Sequence, residues 1–128
     1  MTIEEFLQEI RPPLDQITSA DPDDREFIKR EPERAHFGLG MWIRNNWGLW
    51  KGGNGITDFF HDHGIWHADD MSAIILESYS RLLKEVDVRF HEQVQSYLDY
   101  WKRKGVDSKE ELRKIVETEQ HGEASKEA

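Results

Sequence analysis

Apolar residues recur three and four positions apart along most of this chain and hardly ever in strict alternation, so the pattern predicts helices and no strands. Thr2 followed by Glu5 forms a capping box for a first helix around Ile3 to Ile10, which Pro12 and Pro13 are expected to stop. Asp21-Pro22-Asp23-Asp24 opens a second helix: a capping aspartate, a proline at the first helical position, then acids on the positive helix end. Pro32 limits that helix and begins the next. Residues 33–50 read as one helix with unusual patterning. On its wheel His36, Leu39, Gly40, Ile43, Trp47 and Trp50 share one side, Phe37 and Met41 fall on a second, and Trp42 and Leu49 on a third. A helix apolar all round is expected in the middle of its domain.

Lys51-Gly52-Gly53-Asn54-Gly55 is a loop. The run ITDFFHDHG predicts a short helix ended by Gly64, and IWH a connector. ADDMSAIILESYSRLLKE is a strongly amphipathic helix through Met71, Ile74, Ile75, Leu82 and Leu83, with Tyr79 near the edge and Asp69 and Asp70 in the first turn. A further helix is expected from about Val88 to Arg103, with Phe90, Val94, Tyr97, Leu98 and Trp101 on one stripe and Gly105 as its stop. Ser108 and Glu111 suggest a capping box for a last helix, and from Glu119 onward the lack of apolar residues predicts a frayed or disordered tail. The expectation is an all-α, single-domain bundle of five to six helices over residues 1–118, built around a central Trp/Gly-rich helix, with a polar tail at 119–128.

Composition narrows the chemistry. A chain of 128 residues can bury a core without staples, and the absence of cysteine excludes disulfides, zinc-thiolate sites and thiol nucleophiles. The acidic N-terminus lacks the basic and apolar regions of a signal peptide, and no apolar run reaches the roughly 18 residues of a membrane span, so a soluble, cytoplasmic protein is expected. The net charge of −9 lies mostly in the body: residues 1–35 carry ten acids and five bases, and residues 36–101 nine and five. Such a surface argues against binding a phosphate backbone and fits solubility, a basic protein partner or nucleic-acid mimicry.

Residues 36–55, HFGLGMWIRNNWGLWKGGNG, hold three of the five tryptophans and six of the nine glycines. Together with HADDMSAIIL, this segment resembles a small bacterial domain family of unknown function, whose pattern is HFGLGxxIRNNxGLW, a glycine-containing spacer, then HPDDMSxxIL. The resemblance covers about residues 36–84, with Ala68 where that family has proline, and leaves residues 1–30 and 88–128 outside. It implies no activity. It singles out His36, Gly38, Gly40, Arg44, Asn45, Asn46, Trp47, His67, Asp69 and Asp70 as motif positions.

Three groups of residues are candidates for chemistry. Arg44, Asn45 and Asn46 with His36 form either a recognition pocket for a carboxylate or phosphate, or an internal network in which Arg44 meets Asp69 or Asp70 and the asparagines satisfy loop backbone. The second reading is favoured and requires the two motif segments to touch. In DFFHDHGIWHADD, Asp58, His61 and Asp62 can share a helix face as a transition-metal site, but no H-E-x-x-H arrangement is present. A solvated face, with His67 and the acids capping a helix, is the stronger expectation, and no cofactor is assigned. Ser72, Ser78 and Ser80 are available as nucleophiles but lie in no recognisable elbow. Among the tryptophans, Trp42, Trp47 and Trp101 are expected in the core, whereas exposure of Trp50 or Trp66 would mark a partner surface.

The leading functional expectation is a non-enzymatic, acidic protein-interaction module, extending to an inhibitor or immunity-type protein for a basic partner. The alternatives are a small metal-dependent enzyme or ligand-binding domain built on the His/Asp cluster, and a nucleic-acid mimic.

Overall fold

The computed structural model describes the backbone of residues 1–127 and the side chains of residues 1–118, and among these residues there are helices and no strands. The order is α1 (Ile3–Thr18), α2 (Pro22–Arg30), α3 (Pro32–Ala35), a π-helical turn (His36–Gly40), α4 (Met41–Asn46), α5 (Gly55–Asp62), α6 (Ala68–Lys84), α7 (Phe90–Arg103) and α8 (Ser108–Glu127). The all-α expectation holds, with more and shorter elements than the five or six read from the pattern. The expected fraying beyond Glu119 concerns residues whose side chains lie outside those described.

Most of the sequence signals act where they stand. Thr2 and Glu5 exchange both bonds of the capping box that opens α1. The Asp21 carboxylate accepts from Asp23 N–H at the start of α2, with Pro22 in the first turn. Gly64 adopts the left-handed conformation after α5, with φ 89°. At α8 the observed cap is Asp107, whose carboxylate accepts from Lys109 N–H at 3.0 Å, rather than Ser108.

Pro12 and Pro13 do not stop α1. The helix runs on to Thr18 because Phe6, Ile10, Leu14 and Thr18, four apart, are all buried. That stripe outweighs the cost of two prolines, about 3 kcal/mol each in a helix interior.

The central element is α6. Met71, Ser72, Ile74, Ile75, Leu76, Ser78, Tyr79 and Ser80 are all buried along it, and it packs against α1, α2, α3, the π-turn, α4 and α7. Tyr79, expected near the edge, is fully buried, and its hydroxyl donates to Asp15 of α1 at 2.6 Å. Phe6, Phe59, Phe60 and Phe90 close the other end of the core, the Phe6 and Phe59 rings stacked 4.7 Å apart. Aromatic pairs of this kind contribute about 0.5–1.5 kcal/mol beyond their buried area.

The tryptophan-rich segment is therefore not a central rod. It breaks into α3, the π-turn and α4, and ends at Asn46 because Gly48 turns left-handed with φ 67°. Gly40, Ile43 and Arg44 are buried, with Leu39 and Trp47 packed at the core edge, and Leu49, beyond the helix end, also enters the core. Within the helix the other sides face outward, with Phe37 81%, Met41 54% and Trp42 43% exposed. Trp50, beyond the helix end, is 58% exposed and leaves the side the wheel gave it.

Candidate functional site

The covered side of the π-turn carries His36, Gly40 and Arg44 in one file against the first turn of α6. Arg44 is only 8% exposed. Its Nη1 lies 2.9 Å from His36 Nε2 and donates to Ser72 Oγ at 3.0 Å, and its Nε lies 3.1 Å from Asp69 Oδ1. Ser72 Oγ in turn donates to the Asp69 carbonyl at 3.0 Å. Arginine only donates, whereas the Asp69 carbonyl 3.1 Å from the same His36 Nε2 only accepts, so the ring tautomer decides which of the two contacts is a hydrogen bond. Arg44 Nε makes an ion pair with the carboxylate but no aligned hydrogen bond. The two motif segments touch, as the internal-network reading requires, and Asp69 rather than Asp70 is the partner of Arg44.

Gly40 is what permits this arrangement. A methyl group built there would come within 2.7 Å of His36 Cδ2 and 3.3 Å of Arg44 Nη1. The π-turn is wider than an α-turn and is often found at functional positions. Here it keeps His36 over Gly40 with the ring aimed at α6.

His67 caps α6. Its Nδ1 accepts from Asp69 N–H at 3.0 Å. A ring nitrogen that accepts carries no proton, so the 3.9 Å approach of the same atom to the Asp69 carboxylate is not an ion pair. His67 is the cap, while Asp69 and Asp70 stand in the first turn of the helix without capping it.

Asp70 faces a cleft of about 540 Å³ between α3, α6 and α7, lined also by Glu33, His36, Asp69, Glu77 and Glu92. Its carboxylate accepts from Trp101 Nε1 at 2.8 Å. Burial pushes its pKa above the usual carboxylate range, against the opposing pull of the Trp101 bond. Tyr97, on the same cleft, is also pushed up, first by burial and then by the negative charges of Asp70 and Glu77. The two arginines of the cleft already have carboxylate partners: Arg81 pairs with Glu77 at 2.8 Å and Arg89 with Glu92 at 3.5 Å.

Asn45 and Asn46 stand apart from this network. Both are exposed, and Asn46 Nδ2 donates to the Trp42 carbonyl of its own helix at 2.8 Å. The loop backbone expected to need them is held by Asn54, whose Nδ2 donates to the Trp47 and Gly48 carbonyls at 3.3 and 3.4 Å while its Oδ1 caps α5.

Trp66 and Trp101 pack at 4.8 Å, with His67 against both rings and Trp50 at the margin. Trp66 is half-buried and its indole N–H is buried without a partner among the described residues. Trp50, not Trp66, is the exposed member. Trp42, expected inside, lies on the surface, whereas Trp47 and Trp101 are half-buried.

Asp58, His61 and Asp62 share α5 but do not converge: among the described residues no three His, Cys, Asp or Glu side chains are placed to hold a metal ion. Ser72, Ser78 and Ser80 are fully buried, which removes them as accessible nucleophiles. The roles of Ser72, Trp101 and Tyr97 in the network and cleft were missed in the sequence. Ser72 follows Asp69 by three residues, one helical turn, and that spacing was the available signal.

A sequence model of the family described as a domain of unknown function, DUF6794, matches residues 6–83. The chain belongs to that family. The match takes in α1 and α2, so the family extends further toward the N-terminus than the motif pair alone, while α7 and α8 lie beyond it. No curated protein and no solved structure matches the chain. Among the described residues no helix is long and apolar enough to cross a membrane.

Proposed function

We propose that this domain is a non-enzymatic protein-interaction module that takes a basic partner, in the manner of an inhibitor or immunity-type protein. The observation that carries this reading is the cleft between α3, α6 and α7. Five carboxylates line it, and both of its arginines are already paired. That leaves Glu33 and Asp70 without a cationic partner among the described residues. A guanidinium or ammonium group entering the cleft would meet unopposed negative potential in a partly desolvated recess, which favours fast encounter and salt-sensitive binding. Arg44 supports the same division of labour, because its Nη1 and Nε are directed inward to His36, Ser72 and Asp69.

A second reading is ligand binding or acid–base chemistry in the same cleft. It is favoured by one observation, the raised Asp70 carboxyl beside Tyr97.

Immobilised full-length protein, challenged with extract of the source cells at low salt, separates these readings. The interaction reading predicts one stoichiometric protein, released by moderate salt and lost in a Glu33→Gln, Asp70→Asn, Glu92→Gln variant. Retention of no protein at low salt would contradict it.

A further inference from the structure

Trp50, the last residue of the first motif, and His67, the first of the second, meet away from the acidic cleft. They share one wall of a recess of about 420 Å³ with Lys51 and Trp66, and α8 supplies Glu111 and Lys114 on the other wall. The three rings adjoin, with His67 5.8 Å from Trp50 and 5.4 Å from Trp66. The polar groups on this wall are donors. Trp66 carries a buried indole N–H with no partner among the described residues, and a buried donor calls for an acceptor. His67 Nδ1 accepts from Asp69 N–H, so the ring proton sits on Nε2, which has no acceptor among the described residues. Lys114 is held by Glu111 at 3.3 Å, whereas Lys51 makes no ion pair among the described residues. The recess therefore sets two cations against one anion, on a chain whose net charge is −9.

We propose that this recess binds a small, singly charged aromatic carboxylate. Trp50, more than half exposed, offers its uncovered ring surface to the planar part of the ligand. The Lys51 ammonium supplies the opposite charge, and the two ring N–H groups supply directed bonds to the carboxylate oxygens. One excess positive charge matches one carboxylate, and a mostly apolar recess with a few converging donors is the usual form of a small-molecule site. The family match ends at residue 83, so α8 makes the recess a property of this longer chain rather than of the family segment alone. The acidic cleft takes no part in it, and the two proposals stand or fall separately.

Titration of the isotope-labelled full chain with indoleacetate, followed through its indole N–H resonances by NMR, tests the proposal. Trp66→Phe assigns the Trp66 signal by its loss. That signal should move and saturate with a Kd of about 1 mM, the affinity expected of so small a ligand. Neutral indoleacetamide should bind wild type at least about 5-fold more weakly than the acid does. Lys51→Ala and Trp50→Ala, both at exposed positions, should each weaken indoleacetate at least about 5-fold with unchanged helical circular dichroism. Absence of a saturable Trp66 shift up to about 10 mM overturns the proposal. So does equal binding of acid and amide, or wild-type affinity in both variants. Tighter binding of adenosine monophosphate than of indoleacetate would overturn the assignment to a carboxylate.

Discussion

Gly38 and Gly40 are one residue apart, yet they are glycine for opposite reasons. Gly40 lies under the His36 ring and beside the Arg44 guanidinium, where one added methyl group would collide with the ring and crowd the guanidinium. Gly38 opens onto solvent and apolar side chains that nothing in the fold covers. The π-turn thus has an inner side committed to structure, tied through Arg44 to the start of α6, and an outer side that the chain's own packing does not use. The family motif cannot be read as a single site. Its polar residues divide between the two sides, with His36 and Arg44 inward and Asn45 and Asn46 outward.

The inner side should be expensive to disturb. Arg44→Ala removes the donor to Ser72, the contact with His36 and the cation beside Asp69. With Asp69 half exposed, the loss should be about 2–3 kcal/mol, read as a lower urea midpoint at unchanged slope. A loss below about 0.5 kcal/mol would show that the network contributes little to the fold. Trp101→Phe keeps the ring packing but removes the bond to Asp70, at a cost of about 1 kcal/mol. It should also push the Asp70 carboxyl still higher, which carboxyl-carbon NMR titration would detect.

A smaller effect concerns pH. The folded protein holds Asp70 with a raised pKa, so the native state binds that proton more tightly than the unfolded chain does. Stability from this group is therefore present at low pH and is lost as pH rises from the ordinary carboxylate value through the raised one. Asp70→Asn keeps an acceptor for Trp101 and should flatten that descent, leaving the variant at least as stable as wild type at neutral pH. Denaturation across the acid range checks the sign, and a wild-type curve that climbs through this window on account of Asp70 would refute it. On the outer side the expected changes are smallest: Asn45→Ala and Phe37→Ser should each alter stability by less than about 0.5 kcal/mol. A cooperative loss of fold on Asn45→Ala would return the asparagines to the structural network.

What the sequence made legible follows from where its signals act. Caps and stops are local, so Thr2, Asp21, His67, Gly64 and the prolines at 22 and 32 could be placed directly from neighbouring residues. Pro12 and Pro13 misled because a local breaker was weighed without the stripe of Phe6, Ile10, Leu14 and Thr18 that continues past it. The helical wheel of residues 33–50 assumed a uniform 3.6-residue period. The π-turn widens that period, and Gly48 ends the helix early, so the wheel found the buried side through Gly40 and Ile43 but did not put Arg44 on it, and had no means of showing that Phe37, Met41 and Trp42 are uncovered. Tertiary partners of equal chemical merit were also beyond reach. Asp69 and Asp70 adjoin in sequence, and only helix geometry sends one to Arg44 and the other to Trp101.

The division between the two sides of the π-turn is tested most directly by chemical denaturation of Gly38→Ala and Gly40→Ala side by side. Gly38→Ala should gain up to about 1 kcal/mol from helix propensity with nothing to displace. Gly40→Ala should lose about 1–2 kcal/mol, because its methyl group forces aside a histidine ring fixed by Arg44 and α6. Equal stabilisation of both variants would contradict the account, since it would mean that the inner side yields to a side chain as readily as the open one.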